Sequence, residues 1–245
     1  MTTEDKNKKR ADAPETVPST KPMTAEEIEL DEKKSLALIA EEFKNGFDFI
    51  KKYEKSVSVF GSSRFSNESE HAEDARMLAG RIVRELGYAV LTGGGPGIME
   101  FANQGAKEAG GESLGLTIKL PKEQGSNSYL TDNVGFYYFF TRKTIMLFAA
   151  EAFIFFPGGY GTLDEFFDII TLVQTGKIPK VPIILVGSDF WIPLQDFIKK
   201  NMVDTHQSIS ASDMDLFKII DDQDEIIELI RKSPVANWWK NFELD

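Results

Sequence analysis

Cysteine is absent from the 245 residues, and histidine occurs only twice, at His71 and His206. Without cysteine the chain can build no disulfide, thiol nucleophile, iron–sulfur cluster or cysteine-type zinc site. Two histidines cannot make a His-rich metal site. A Ser-His-Asp triad would have to use one of them, and spacing suggests no acidic or hydroxyl partner for either. Chemistry must therefore run on carboxylates, arginine, lysine, hydroxyls and backbone amides. Basic side chains are in deficit, 28 Lys and Arg against 39 Asp and Glu, a formal charge of -11. Such a surface repels phosphate backbones and anionic lipid, which argues against nucleic-acid and membrane-surface partners. Long apolar runs are missing too. The longest are strand-length, far short of the roughly 20 residues of a spanning helix. The first residues, MTTEDKNKKRADAPETVPSTKP, have no apolar signal-peptide core. They read as a solvated, disordered tail, and the protein is expected to be cytoplasmic.

What is present suits one generous globular domain, with 42% hydrophobic and 27% charged residues. The expected division is a disordered tail over 1–23, a helical extension over 24–55 and one domain over 56–245. Thr24 with Glu27 fits a capping box, and Ile28, Leu36, Ile39, Phe43, Phe47 and Ile50 recur near a helical period. One or two helices should reach about Tyr53. Strands are expected at Ser56–Phe60, Tyr88–Thr92, Leu114–Leu120, Ala152–Phe156, Pro182–Val186 and Phe217–Ile220, with Val134–Phe140 at least partly extended. Helices are expected at Asn67–Leu86, closed by Gly87, then at 97–109, Thr141–Ala150, 162–176, 190–201 and 222–232. Residues 121–133 read as a polar loop. Short, almost wholly apolar strands alternating with helices predict an α/β fold, a Rossmann-like doubly wound parallel sheet covered on both faces.

In such sheets ligands bind beyond the carboxyl ends of the strands. Three loops rich in Gly or Ser fall there: GSSRF, TGGGPG and PGGYGT. Glycine-rich turns let backbone N–H groups converge on an anion, and a following helix adds partial positive charge. A phosphate is the obvious guest. Glycine also serves tight turns, but two such loops, each between a buried strand and a helix, favour the phosphate. The first loop does not fit the dinucleotide fingerprint, and no Gly-Lys-Ser/Thr occurs, so hydride transfer and P-loop NTP hydrolysis are disfavoured.

Three segments, GGGPGIMEFANQGA, FFTRK and PGGYGTLDEF, together resemble the LOG family, whose members have carried the label lysine decarboxylase. The resemblance runs from about Ser56 to Ile230. Phe139-Phe140 before Thr-Arg-Lys looks like a bacterial FFxRK branch, where many plant members have Met-His. The resemblance implies a Rossmann-like fold and phosphoribohydrolase activity on nucleoside 5′-monophosphates, cytokinin riboside monophosphates or AMP, giving free base and ribose 5-phosphate. It implies Arg142 and Glu165 as the catalytic pair, and nucleotide contacts from Lys143 and the loop Gly158, Gly159, Tyr160, Gly161, Thr162. Family members are dimers or larger, so a homo-oligomer is expected. The chemistry agrees. Cleaving an N-glycosidic bond passes through an oxocarbenium-like transition state that a carboxylate can stabilise while activating water. Arginine holds phosphate or ribose oxygens with a fork of donors. No cofactor or metal is required.

Each of these residues also has a plainer reading. Thr162-x-x-Glu165 fits a capping box, so Glu165 could simply cap a helix. Asp164, Asp168 and Thr171 form a polar line that is either a solvated stripe or an edge of the pocket. Arg142 and Lys143 sit at an expected helix start, where the dipole disfavours cations, so an anionic ligand or a nearby carboxylate is called for. Ser62 and Ser63 could cap the next segment or touch ligand. Gly94, Gly95 and Gly97 are candidate ligand contacts, and Glu100 shares a polar face with Asn103, Gln104 and Lys107. Glu123 and Asn127 could close over a base. Phe136–Phe140 could stack a base, form core or make a subunit interface, and Trp238 and Trp239 read as packing anchors. The rival function is a non-catalytic carrier or sensor of a phosphorylated ligand, similar to the molybdenum-cofactor carriers. Such a carrier needs the phosphate loops but not both Arg142 and Glu165. A pyridoxal-phosphate decarboxylase would need a buried Schiff-base lysine with an acidic partner, which no motif identifies.

Overall fold

Ser56–Phe60, an alternation of Ser, Val and Phe, forms a wholly buried strand, β1, at the centre of a seven-stranded sheet. The computed structural model describes Pro22, residues 24–119 and residues 125–233. Apart from Pro22, the expected tail lies outside those residues, as do Glu123, Trp238 and Trp239. The other strands are β2 (Ala89–Thr92), β3 (Ser113–Ile118), β4 (Asp132–Phe136), β5 (Ala150–Phe155), β6 (Ile183–Leu185) and β7 (Lys218–Ile219). Every pairing is parallel, in the order β4-β3-β2-β1-β5-β6-β7. The order grows outward in one direction from β1 to β4 and in the other from β5 to β7. The switch point, where a doubly wound sheet opens a crevice, therefore falls between β1 and β5.

The helices are α1 (Ala25–Ile50), α2 (Glu70–Arg81), α3 (Ile98–Glu108), α4 (Phe139–Ala149), α5 (Tyr160–Gln174), α6 (Ser188–Phe197) and α7 (Gln223–Lys232). Two cores sandwich the sheet. On one face Phe60, Phe153 and Phe155 pack with Ile145, Phe166 and Trp191. On the other, Val57, Val59 and Ile154 pack with Leu78, Ile98 and Ile226. The serines of β1 face α4 and are satisfied by its carbonyls, Ser56 Oγ donating to Ala149 O at 2.7 Å and Ser58 Oγ to Met146 O at 3.3 Å. The Thr24–Glu27 capping box forms, and one helix runs from it to Ile50.

The chain departs from expectation in a few places. Val134–Phe140 is extended only to Phe136, and Phe139 and Phe140 open α4. Phe136 itself is core, at 1% exposure, and cannot stack a ligand. The polar loop ends at Thr131, because β4 begins at Asp132. The helix before Gly87 starts at Glu70 and widens into a π turn over Ile82–Leu86 before Gly87 closes it at φ 70°. A similar π segment, Ile198–Thr205, prolongs α6, and a 3₁₀ turn at Ala211–Leu216 was not expected. Among the described residues no helix is long and apolar enough to cross a membrane.

Candidate active site

At the switch point lies a cleft of about 940 Å³. Its walls are the turn after β1 (Gly61–Phe65), the turn after β5 with the start of α5 (Pro157–Leu163), Gly93 and Met99 beyond β2, and Phe190 of α6. The β1 turn is tied on both sides. Ser62 N donates to Pro157 O and Ile98 N donates to Ser62 O, both at 3.0 Å. Ser62 Oγ accepts from Arg64 N at 3.1 Å, so this hydroxyl shapes its own turn while facing the cleft beside Ser63.

Arg142, from the first turns of α4, and Glu165, from α5, meet in this cleft. Arg142 Nη2 donates to Glu165 Oε1 at 3.2 Å, and their side chains are only 11% and 15% exposed. Burial pushes the Glu165 carboxyl up to about 7; Arg142 and, less, Lys143 pull the other way. Burial likewise lowers the Arg142 guanidinium, which Glu165 opposes. Arg142 Nε is buried with no hydrogen-bond partner among the described residues. A buried donor without a partner carries a desolvation cost that a ligand oxygen would relieve. Phe139 covers the guanidinium, its ring centroid 5.5 Å away.

The capping reading of Glu165 fails on geometry. Helix α5 starts at Tyr160 with Gly159 as its N-cap, so Thr162 lies in the first turn and Glu165 a turn further in. No side chain caps this terminus, and no acidic residue occupies its first turn. Its leading N–H groups thus face the cleft without an internal anion. Gly158, Gly159, Tyr160, Gly161, Thr162, Ser62, Ser63, Arg142 and Glu165 all line the cleft.

Other expected contacts lie elsewhere. Lys143 turns away to pair with Asp164 at 3.0 Å and Asp168 at 3.3 Å. Thr171 is exposed and bonds its own helix at Phe167 O. Glu100, half-buried in the first turn of α3, is not part of the lining. Gly94, Gly95 and Gly97 are not part of the lining; Gly94 and Gly97, at φ +70° and +71°, shape the turn after β2. Asn127 does not reach over the cleft but clamps that turn, its N–H donating to Gly94 O at 2.9 Å and Nδ2 to Gly95 O at 3.0 Å. Of the remaining lining residues, Arg64 and Phe65 belong to the GSSRF loop and Gly93 to the TGGGPG loop, whereas Met99 and Phe190 are new to the site. Gly93 belongs to the same glycine run, and a Cβ there would stand 3.2 Å from Arg142 Nη1. Phe190 carries no local signal, since the β6–α6 connection brings it in from far along the chain. Among the described residues no group of three or more His, Cys, Asp or Glu could hold a metal.

The sequence model of the family described as "Possible lysine decarboxylase" matches residues 99–230. The chain belongs to that family. Its homologues include two cytokinin riboside 5′-monophosphate phosphoribohydrolases of Arabidopsis thaliana. One is 32% identical over 154 residues, covering 60% of this chain and 68% of the relative. The other is 31% identical over 151 residues, covering 60% and 69%. The molybdenum cofactor binding protein of the phototrophic bacterium Rippkaea orientalis shares the fold, with a TM-score of 0.51 at 24% identity over 72% of this chain and 93% of that one. The LOG phosphoribohydrolases are thus relatives in sequence, whereas the cofactor carrier is alike in fold.

Proposed function

We propose that this protein hydrolyses the N-glycosidic bond of nucleoside 5′-monophosphates, cytokinin riboside 5′-monophosphate or AMP, to free base and ribose 5-phosphate. The observation that carries this reading is the buried Arg142–Glu165 pair, 3.2 Å apart, in a cleft walled by the uncapped start of α5. Homology to the phosphoribohydrolases supports it over a carrier function, because a carrier has no use for a carboxylate poised near neutrality.

The roles follow from chemistry. The phosphate is held by the N–H groups at the start of α5, between the Gly158–Gly161 run and the Ser62-Ser63 turn. Arg142 offers its unpartnered Nε–H and the rest of its fork to a phosphate or ribose oxygen. That contact draws the guanidinium partly away from Glu165. Breaking the bond between C1′ and the base builds positive charge on the ribose, which the Glu165 carboxylate stabilises. The same carboxylate takes the proton of the attacking water. A carboxyl pushed up to about 7 can hold that proton at neutral pH and release it again. Binding energy from the remote phosphate lowers the barrier at C1′.

Residues 56–245 form the catalytic domain, with 24–55 as a helical extension and 1–23 as a tail. We read Phe139-Phe140 before Thr-Arg-Lys as the mark of a bacterial FFxRK branch of the family. The protein works in the cytoplasm, on a small nucleotide rather than nucleic acid or membrane, and needs no cofactor. Tyr137, Phe139 and Phe140, all about half exposed beside the cleft, supply an apolar face for a homo-oligomer.

The test is base release, followed by chromatography, from AMP, cytokinin riboside monophosphate and their unphosphorylated nucleosides. The monophosphates should be cleaved and the nucleosides far more slowly. Equal rates on AMP and adenosine would overturn the phosphate role. Tight nucleotide binding without base release would favour a carrier.

A further inference from the structure

The amino end of α4, which carries Arg142, has no cap of its own. Its N-cap residue is Tyr138, whose side chain makes no capping bond. The missing group comes from α1, in the N-terminal extension. Glu42 is buried, 6% exposed, and aims its carboxylate at this turn. Oε1 accepts from the backbone N–H of Tyr137. Oε2 accepts from Tyr138 N at 3.3 Å and from the hydroxyl of the fully buried Thr141 at 2.6 Å. In a capping box the third helical residue reaches back to the N-cap amide. In α4 that third residue is Thr141, too short for the task, and Glu42 performs it from another helix.

A buried carboxylate is costly unless its oxygens are matched by donors. This one has two backbone N–H donors and the Thr141 hydroxyl, whose single proton is shared with Tyr138 O at 2.8 Å, all within the five residues that precede Arg142. Its charge at a helix N-terminus is favourable and offsets the misplaced cations Arg142 and Lys143. One turn further along α1, Gly46 allows the close crossing of the two helices, since a Cβ there would meet Ile145 Cγ1 at 2.5 Å. The start of α4 is therefore fixed by Glu42 on one side of Arg142 and by the Gly46–Ile145 contact on the other.

We propose that Glu42 is a positioning residue for the reaction: by gripping the Tyr137 and Tyr138 amides and the Thr141 hydroxyl, it keeps the first turn of α4 wound so that Arg142 stands against Glu165. This rests on the reading of Arg142 and Glu165 as the reacting pair. The N-terminal extension is then part of the active-site scaffold rather than an appendage to it.

The experiment compares Glu42→Ala and Glu42→Gln with Phe43→Ala in the full chain. Phe43, at the next position of α1, packs against the core and stacks on Phe47, and it makes none of the cap's hydrogen bonds. Turnover of AMP is scored per folded molecule across pH. Glu165 is faced by Arg142 and Lys143 from α4, by Asp164 and Asp168 from its own helix, and shares the cleft with Arg64. Unwinding the first turn of α4 withdraws both α4 cations. In the Glu42 variants kcat should fall by about 10–10²-fold, and the acid limb of the rate profile should move alkaline by about one unit. Phe43→Ala should lower the melting temperature with the limb unmoved. A second readout needs no turnover. In ¹⁵N-arginine-labelled protein, the buried Arg142 Nε–H, assigned by its loss in Arg142→Lys, should exchange at least about tenfold faster in Glu42→Gln and unchanged in Phe43→Ala. If Glu42→Ala does not fold, the near-isosteric Gln variant decides alone. Wild-type protein that cleaves no nucleotide would end the functional reading, yet the exchange measurement would still test the positioning. Unchanged Arg142 exchange in a folded Glu42→Gln protein would overturn it, as would an unmoved rate limb with normal kcat.

Discussion

The two glycine runs, Gly93–Gly97 and Gly158–Gly161, look interchangeable in sequence, each following a buried strand and leading into a helix. Packing and φ explain most of the first run but leave Gly159 and Gly161 of the second open; Gly158 is packed like the first run, a Cβ there meeting Thr162 Oγ1 at 2.1 Å. In the first run, Gly94 and Gly97 take φ of +70° and +71°. A Cβ on Gly97 would stand 2.3 Å from Ser62 O. A buried polar network backs this turn: Thr92 Oγ1 lies 2.6 Å from Asn103 Oδ1, and Gly94 N donates to Thr92 Oγ1 at 2.9 Å. These glycines are required by the protein itself. In the second run, Gly159 takes an ordinary extended φ, and nothing lies within 4 Å of a Cβ on Gly159 or Gly161. Neither the fold nor the backbone asks for glycine at those two positions. What remains is the need to let something approach the backbone closely, as a phosphate must. A glycine run is thus evidence for a ligand only where packing and φ leave it unexplained.

The largest expected effect belongs to the helix that follows the open run. Glu165→Gln keeps the side chain's size but removes the base. Base release from AMP should fall by about 10²–10⁴-fold, with the protein folded and nucleotide still bound, as calorimetry would show. The wild-type rate should rise with pH through about 7, because the ionised carboxylate is the working form. Stability has the opposite dependence. The Glu165 carboxyl is raised above its unfolded value of 4.5, so the unfolded chain sheds this proton first. Stability therefore declines from about pH 4.5 to 7, and the deficit persists above. Glu165→Gln should consequently be more stable than wild type at pH 8, by at most about 3 kcal/mol, with a higher melting temperature, and should match it below pH 4.5. Near-normal turnover, or a lower melting temperature at pH 8, would break this account.

Next comes the closed run. Gly97→Ala combines a left-handed φ with a clash against the Ser62 and Ser63 backbone. It should cost about 3–5 kcal/mol in denaturant unfolding. Asn127→Ala keeps the backbone N–H bond to Gly94 O but takes the Nδ2 donor from the Gly95 carbonyl and from Asn103 Oδ1. A loss of about 1–2 kcal/mol is expected. If Asn127 instead contacted a base, the same variant would weaken nucleotide binding and leave melting unchanged.

Much of this was legible locally. Ser56–Phe60 and the Thr24–Glu27 box could be read because strand alternation and capping are settled within a few residues. The alternation of strands and helices put the Ser62 and Gly158–Thr162 turns at strand carboxyl ends, whereas the switch point between β1 and β5 emerged only from the sheet order. Long-range partners were not legible. Phe139 and Phe140 read as extended because the group that helps wind them into α4, Glu42, lies about a hundred positions earlier in the chain. Lys143 sits beside Arg142 in sequence, but the helical turn swings it onto Asp164 and Asp168. Thr162-x-x-Glu165 imitated a capping box because the N-cap, Gly159, lies three residues sooner than the spacing suggests.

The smallest expected effect on stability is also the sharpest comparison between the runs. Gly161→Ala falls within the first turn of α5, at an unstrained position with open space around the new methyl. By helix propensity and reduced unfolded-state entropy, it should leave stability unchanged or raise it by at most about 1 kcal/mol. The methyl does stand on the wall of the cleft, beside the amides assigned to the phosphate. A bound phosphate would have to retreat from it, so affinity for AMP should fall about tenfold while affinity for adenosine, which has no phosphate to displace, should change little. Thermal melting and calorimetric titration of the same preparation separate the two effects. A stabilised protein that binds AMP as tightly as wild type would mean that the open glycines serve no ligand, and the phosphate would have to be sought elsewhere in the cleft, nearest Ser63 and Arg64.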